Sequence, residues 1–324
     1  MFDRFKSDSE LENSESSDRP EWKILEKLAL SSLVEQRRAR RWGVVFKSLT
    51  FLYLFVVLLM FLPLKGGSLK SESEEHVALV SLNGLIAAES EANANTVVTG
   101  LRNAFEAENS AGVILAINSP GGSPVQSGYI NDEIYRLKEL HPEKKIYAVI
   151  ADLGASGGYY VASAADEIYA DKASLVGSIG VISAGFGFNE MMEKIGIDRR
   201  IYSSGQSKAF LDAFSAEKEA DKEFWQSVLK ITHGQFIDVV KKGRGSKLLD
   251  DEEIFSGLIW SGEQAIEKGL VDGLGSVGKV ARDVIGVEEI RDYSVKPNPF
   301  DSFSKRFGMS IKAALQSFSA PMTF

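Results

Sequence analysis

The spacing of apolar positions changes repeatedly along the chain, and each change marks a boundary. Residues 1–20, MFDRFKSDSELENSESSDRP, hold Ser, Glu and Asp with few apolar side chains, too little buriable surface to offset the entropy of ordering. A disordered tail is expected there. Glu21 to Arg41 has the pattern of a short amphipathic helix, with Trp22, Leu25, Leu28 and Ala29 on one side and a basic end at Arg37, Arg38, Arg40 and Arg41. Gly43 to Leu64 is apolar for 22 residues with Lys47 as its one charge, close enough to an end for its ammonium to reach the interface. At 1.5 Å per residue such a stretch crosses a hydrocarbon core of about 30 Å, so a transmembrane helix is predicted. A cleavable signal peptide fits less well, because 42 residues precede the apolar run and PLKGGSLK after it offers no A-x-A site.

Lys65 to Glu75 is polar and reads as a linker. From His76 onward, apolar runs of strand length alternate with helical stretches: VALVSL, a helix from Asn95 to Glu108, GVILAIN, a helix from Val125 to Leu140, and KIYAVIADL. Strands apolar nearly throughout are buried on both faces, which predicts a parallel sheet covered by helices on each side. Beyond them a strand is expected at Asp198 to Tyr202. A long amphipathic helix is expected from Glu217 to Lys242, with Phe224, Val228, Ile231, Phe236 and Val239 facing the core. Phe300, Phe303, Phe307, Ile311, Leu315 and Phe318 recur at spacings of 3, 4, 4, 4 and 3, an amphipathic C-terminal helix. Packing on a neighbouring subunit, lying on the membrane surface and capping the domain are its three open uses. The organisation is thus a cytoplasmic tail 1–42, an anchor 43–64, a linker 65–75, a domain 76–286 and an extension 287–324.

Composition narrows this picture. The 324 residues carry a formal net charge of −8 and no cysteine. Thiol catalysis, thiolate metal sites and disulfides are therefore excluded, and an acidic chain without a basic stripe argues against nucleic acid as a partner. No metal or cofactor is expected. Within twenty residues of the apolar run, six Lys/Arg lie on its N-terminal side (Lys23, Lys27, Arg37, Arg38, Arg40, Arg41) and two, Lys65 and Lys70, on the other. That bias predicts a cytoplasmic N-terminus and a domain on the far side of the membrane.

Candidate chemistry gathers where strands end. In KIYAVIADLGASGGYYV the β-branched run stops at Gly154, one small hydroxyl follows at Ser156, and a glycine pair leads into an apolar helix start. A hydroxyl at such a turn stands clear of the sheet beside free N–H groups, so Ser156 is a candidate nucleophile. Gly154-x-Ser156-x-Gly158 also fits the α/β-hydrolase elbow, which needs an acid and then a histidine further on. The one downstream histidine, His233, sits within the helical pattern LKITHGQFIDVV and reads as half-packed, so a Ser-His-Asp triad is not expected. The turn Ser119-Pro120-Gly121-Gly122-Ser123 ends the preceding strand, and its adjacent glycines suit either a tight turn or N–H donors to an oxyanion. A base must then come from Lys, Asp, Glu or a terminal amine, and a lysine serves only where desolvation brings its pKa from about 10.4 towards 7 or 8. Lys208, followed by Ala209, Phe210 and Leu211, has more apolar neighbours than Lys194 or Lys172.

INSPGGS, DLGASGGYYVASAADEIYA, VGSIGVI, SSGQSKAFLDAF and IWSGEQAIEKGLVDGLGS occur in this order between Val77 and Gly275. Together they resemble the signal peptide peptidase A family of membrane-anchored serine-lysine proteases. The resemblance implies a ClpP/crotonase-type α/β fold behind an N-terminal transmembrane helix in a bacterial inner (cell) membrane, with the domain periplasmic or otherwise extracytoplasmic. It implies Ser156 as nucleophile, Lys208 as general base 52 residues on, and Ser178 as the hydroxyl that holds the lysine. Gly157 and either Gly121 or Gly122 would donate to the oxyanion. Remnant signal peptides would be the substrates, and a homo-oligomeric ring with sites shared between subunits the assembly. Ser207 and Ala213 depart from residues common in that lysine loop. Two other readings share the fold, a catalytically silent membrane scaffold and a crotonase-type acyl-CoA enzyme, which would need no Ser156.

Overall fold

The computed structural model describes residues 20–61 and 74–295. The tail 1–19, most of the linker and the C-terminal helix expected at Phe300–Phe318 lie outside the described residues. The chain divides into two compact units, Met1–Lys70 and Ser71–Phe324, and each is taken by itself.

In the first unit one helix, α1, runs from Pro20 to Phe61. The amphipathic segment and the anchor read separately from the sequence are thus continuous, since the single Gly43 between them costs only about 1 kcal/mol relative to alanine. Glu35–Leu58 is long and apolar enough to cross a membrane. Its large apolar side chains, among them Phe46, Phe51, Leu54 and Phe55, are exposed.

The second unit is an eight-stranded sheet. In chain order its elements are β1 (His76–Asn83), α2 (Ala94–Glu106), β2 (Ser110–Ser119), α3 (Pro124–Leu140), β3 (Ile146–Ala155), α4 (Gly157–Ala162), β4 (Glu167–Ala170), β5 (Leu175–Gly177), α5 (Asn189–Lys194), α6 (Glu219–Arg244), β6 (Ile259–Ser261), α7 (Gly262–Glu267), β7 (Gly273–Leu274) and β8 (Ile290–Asp292). The main order is β6-β5-β3-β2-β1-β8, parallel except for β5 with β6. Ile117 pairs with Ile150, whereas Ser119 pairs with Gly154, so β3 holds two extra residues at its end. That bulge lets β3 fork: Tyr147–Ile150 pair with β4, and Leu153–Ala155 pair with β5.

Both sheet faces are buried, as the unbroken apolar strands predict. Val80, Leu82, Leu115, Ile117, Ala148 and Ile150 pack with Leu101, Ile130, Ile134 and Tyr159 of the helices. Val77, Ile114, Tyr147 and Val149 pack with Val280 and Ala281 on the other side. At the end of α6, the buried Arg244 donates to Gly269 O at 2.8 Å and to Asp272 Oδ2 at 2.7 Å. Burial alone would raise the Asp272 pKa, but hydrogen bonds from Arg244 and Lys247 outweigh it and hold the carboxyl low.

Three expectations are corrected. The sheet does not stop at residue 286: Ile290–Asp292 add to the β1 edge, and Tyr293 N–H donates to Leu79 O at 2.8 Å. Asp198–Tyr202 forms no strand, because no neighbouring strand offers partners to its backbone groups among the described residues. Of the apolar side chains of α6, Phe236 and Val240 alone are buried, while Phe224 and Ile231 are exposed. The C-terminal half of that helix rests on α4, with the Phe236 and Tyr160 rings 5.1 Å apart, and the N-terminal half extends past the core.

Candidate active site

Ser156 stands between the last residue of β3 and the first of α4 with φ 52° and ψ −123°, a conformation costly for any side-chain-bearing residue. The surroundings hold it there. Its N–H donates to Gly177 O at 2.8 Å, its C=O accepts from Tyr160 N–H at 2.9 Å, and the side chain is half-buried. Glycine is required on every side. A methyl group at 121 would lie 2.4 Å from Gly157 N and 2.8 Å from Ser156 Cβ, and one at 158 would lie 2.9 Å from Ser119 O. The backbone of the Ser119–Ser123 turn therefore approaches the serine as closely as chains can.

That turn is built by its own hydrogen bonds. Gly121 and Gly122 have φ of 91° and 146°. Ile86 N–H donates to Gly121 O, and Ser123 N–H to Ile86 O, both at 2.8 Å. Ser119, fully buried, donates Oγ–H to Gly84 O at 2.6 Å and accepts Gly121 N–H at 3.1 Å. Gly121 N–H is thus occupied, and the N–H groups of Gly122 and Gly157 have no acceptor among the described residues. Both border the serine: a methyl at 157 would be 3.2 Å from Gly122 N. The sequence left Ser119 unassigned, although a serine ahead of Pro-Gly-Gly is a residue type that ties turns to neighbouring backbone.

Ser178 is brought to the same place. Ala155 pairs with Gly177, and Ser156 N–H donates to Gly177 O at 2.8 Å, so Ser178 directly follows the residue that anchors Ser156. Ser178 has φ 50°, is half-buried, and its N–H donates to Leu258 O at 2.7 Å. His233 is half-buried, with Nε2 on Ile179 O at 3.0 Å, which makes it a prop for the Ser178 segment.

Lys208 is not placed in an apolar setting. It lies in a turn, its N–H donating to Gly205 O at 3.2 Å, with the side chain exposed. No hydrogen bond or ion pair joins it to Ser156 or Ser178 among the described residues. The surrounding stretch, Val181 to Lys218, has one short helix and no strand. It exposes Ile182 (87 %), Phe186 (81 %) and Tyr202 (92 %) to solvent. Ring contacts, Phe188 on Phe214 at 5.5 Å and Phe210 on Trp225 at 5.8 Å, hold its shape.

A parallel sheet flanked by helices, with a strained serine and a free glycine N–H at the end of one central strand and a second free glycine N–H after its neighbour, defines the ClpP/crotonase class of α/β domain. Comparison with known proteins makes this specific: residues 138–286 match Peptidase family S49. "Putative protease slr0021" of Synechocystis sp. is 32% identical over 208 residues, 64% of this chain and 72% of that protein. The chain belongs to peptidase family S49. "Putative signal peptide peptidase SppA" of Enterococcus faecium is 33% identical over 211 residues, 63% of this chain and 61% of that protein. A Brucella abortus protein named "Na(+)/H(+) antiporter NhaA" is 46% identical over 186 residues, 57% of this chain. The chain spans only 25% of that protein, so its name describes a much longer molecule.

Proposed function

We propose that this chain is a membrane-anchored serine peptidase working through a Ser-Lys dyad, with Ser156 as nucleophile and Lys208 as general base. Ser156 Oγ attacks the peptide carbonyl as its proton passes to the lysine amine. The carbonyl oxygen, now negative, accepts the N–H groups of Gly157 and Gly122. The lysine then gives its proton to the departing amine, leaving an acyl-serine that water hydrolyses with the lysine again as base. Of the two glycines open as donors from sequence, Gly122 is the one proposed here, because Gly121 N–H already binds Ser119 Oγ. Ser178, next after the Gly177 whose carbonyl accepts from Ser156 N–H, would hold the lysine. The carrying observation is Ser156 itself, held at a positive φ in a turn where the Gly157 and Gly122 N–H groups are unpaired among the described residues. A crotonase-type acyl-CoA enzyme would have no use for that serine.

The exposure of Lys208 bears on assembly. A lysine works as a base only where its amine is desolvated, and a single chain leaves this one in water. The same segment exposes a run of large apolar side chains that a second copy would cover. The reading is therefore a homo-oligomeric ring in which Lys208 of one copy serves Ser156 of the next. Remnant signal peptides and other membrane-associated peptides are the proposed substrates, reached from the extracytoplasmic side of the membrane that α1 spans.

The test is a fluorophosphonate probe on the full chain in detergent. Labelling that disappears in Ser156→Ala is expected. A folded wild-type chain that takes no label would leave the silent scaffold as the better reading. For orientation, a reporter active only outside the cytoplasm should work fused after Lys70 and fail fused before Arg37, and the reverse pattern would overturn the topology.

A further inference from the structure

Ser127 lies in the first turn of α3, its N–H donating to Ser123 O at 3.1 Å. Its side chain is fully buried, and Oγ has no hydrogen-bond partner among the described residues. Hydroxyls on helices here commonly bond back to a carbonyl one turn earlier: Thr99 Oγ1 donates to Asn95 O at 2.7 Å, and Thr232 Oγ1 to Val228 O at 3.1 Å. Ser127 does not. A methyl group at 157 would lie 2.5 Å from Ser127 Oγ, so a Cα–H of Gly157 is directed at that oxygen. One turn along the same face of α3, Asn131 Nδ2 donates to Tyr160 O at 2.8 Å. Two polar side chains of α3 thus grip the first turn of α4, one at its start and one at its fourth residue.

We propose that Ser127 is a positioning residue for the oxyanion site, its Oγ seating Gly157 so that the Gly157 N–H keeps its place beside Ser156 and Gly122. The inference rests on Ser156 being the nucleophile. Packing alone does not call for a hydroxyl here: an unpaired buried hydroxyl destabilises a fold, and alanine would remove that cost at the expense of a void of one atom. A purely structural Ser127 therefore predicts that Ser127→Ala is as stable as wild type or more so, with unchanged kinetics.

The experiment uses full-chain protein and a peptide substrate. Wild type that labels with a fluorophosphonate, and Ser156→Ala that does not, first establishes the nucleophile. Ser127→Ala is then expected to lower kcat about tenfold with KM unchanged, because the seat acts on the transition state's oxyanion and not on peptide binding. The labelling rate should fall by a similar factor, since the phosphoryl oxygen enters the same site, and Tm should not fall. Ser127→Cys, which keeps a heteroatom facing Gly157, should recover part of kcat. Unchanged kcat and labelling in Ser127→Ala overturns the proposal, as does a loss of kcat that tracks a loss of Tm. Failure of wild type to label is a distinct result, removing the Ser156 reading and this proposal with it.

Discussion

The two halves of the proposed dyad live in opposite surroundings. Around Ser156, strands β2, β3 and β5 and helices α3 and α4 meet in a few ångströms, and Gly121, Gly157 and Gly158 leave no room for a single methyl group. Around Lys208 the chain has no strand, almost nothing buried, and aromatic contacts in place of a core. A strained backbone persists only where its surroundings over-determine it, which the sheet supplies and the lysine segment does not. On the proposed reading, one chain preorganises Ser156 and the glycine N–H groups by itself, and leaves Lys208 to be organised by what covers the exposed apolar segment.

Variants can break this contrast, and the largest effects belong to the serine side. Ser156→Ala should reduce peptide hydrolysis by at least about 10⁴-fold while leaving the fold intact, since alanine relieves no packing. Gly121→Ala should lose both properties. Its Cβ would press on Gly157 N and Ser156 Cβ, and its φ of 91° is strained for alanine. A fall of about 10²–10³ in kcat together with several °C in Tm is expected. A Gly121→Ala enzyme with wild-type kinetics and melting would show that the close approach is not rigid.

Lys208→Ala should separate the two properties. With its side chain exposed, stability should move by no more than about 0.5 kcal/mol, while activity falls as far as in Ser156→Ala. If the base comes from a neighbouring copy, co-expressing Ser156→Ala with Lys208→Ala chains should restore activity, because some boundaries regain both groups. No recovery from well-folded mixtures would place the pair within one chain or remove Lys208 as the base. Phe186→Asp should shift assemblies toward smaller species in light scattering and lower activity in parallel, leaving the melting of the single chain nearly unchanged. An unaltered assembly would mean that the 182–214 surface is covered by something other than a second copy.

The same contrast explains what the sequence made legible. Unbroken apolar strands and glycine-bounded turns are local signals, so the parallel sheet, the Ser156 turn and the Ser119–Ser123 turn could all be read from residues a few positions apart. Lys208 was expected in an apolar setting because Ala209, Phe210 and Leu211 follow it, but neighbours in sequence do not desolvate a side chain without a wall to pack on. Asp198–Tyr202 failed as a strand for a related reason, since pattern does not guarantee a partner. The β8 addition and the Ser127–Gly157 contact join residues far apart in the chain, and no spacing rule carries them.

The smallest predicted effect tests whether the rigid side extends outward from the site. Glu133 on α3 accepts from Arg136 of its own helix at 2.6 and 2.8 Å, and from Arg102 of α2 at 2.6 Å. The Arg136 hydrogen bond, joined by that of Arg102, lowers its pKa from 4.5 to about 2 against the opposing effect of burial. Because the folded pKa lies below the unfolded one, the pair stabilises the protein fully above about pH 4.5 and loses that stabilisation as pH falls towards 2. Glu133 is 11 % exposed but the two arginines are nearly half exposed (49 % and 48 %), so solvent screening limits the effect to about 1–2 kcal/mol. Glu133→Gln should accordingly be less stable than wild type by that amount at pH 7 in urea unfolding. The gap should narrow between pH 4.5 and pH 2, with kcat near neutral pH unchanged because α3 stays seated on α4 through Asn131. A gap as wide at pH 2.5 as at pH 7 would show that packing, and not the charge pair, ties α2 to α3.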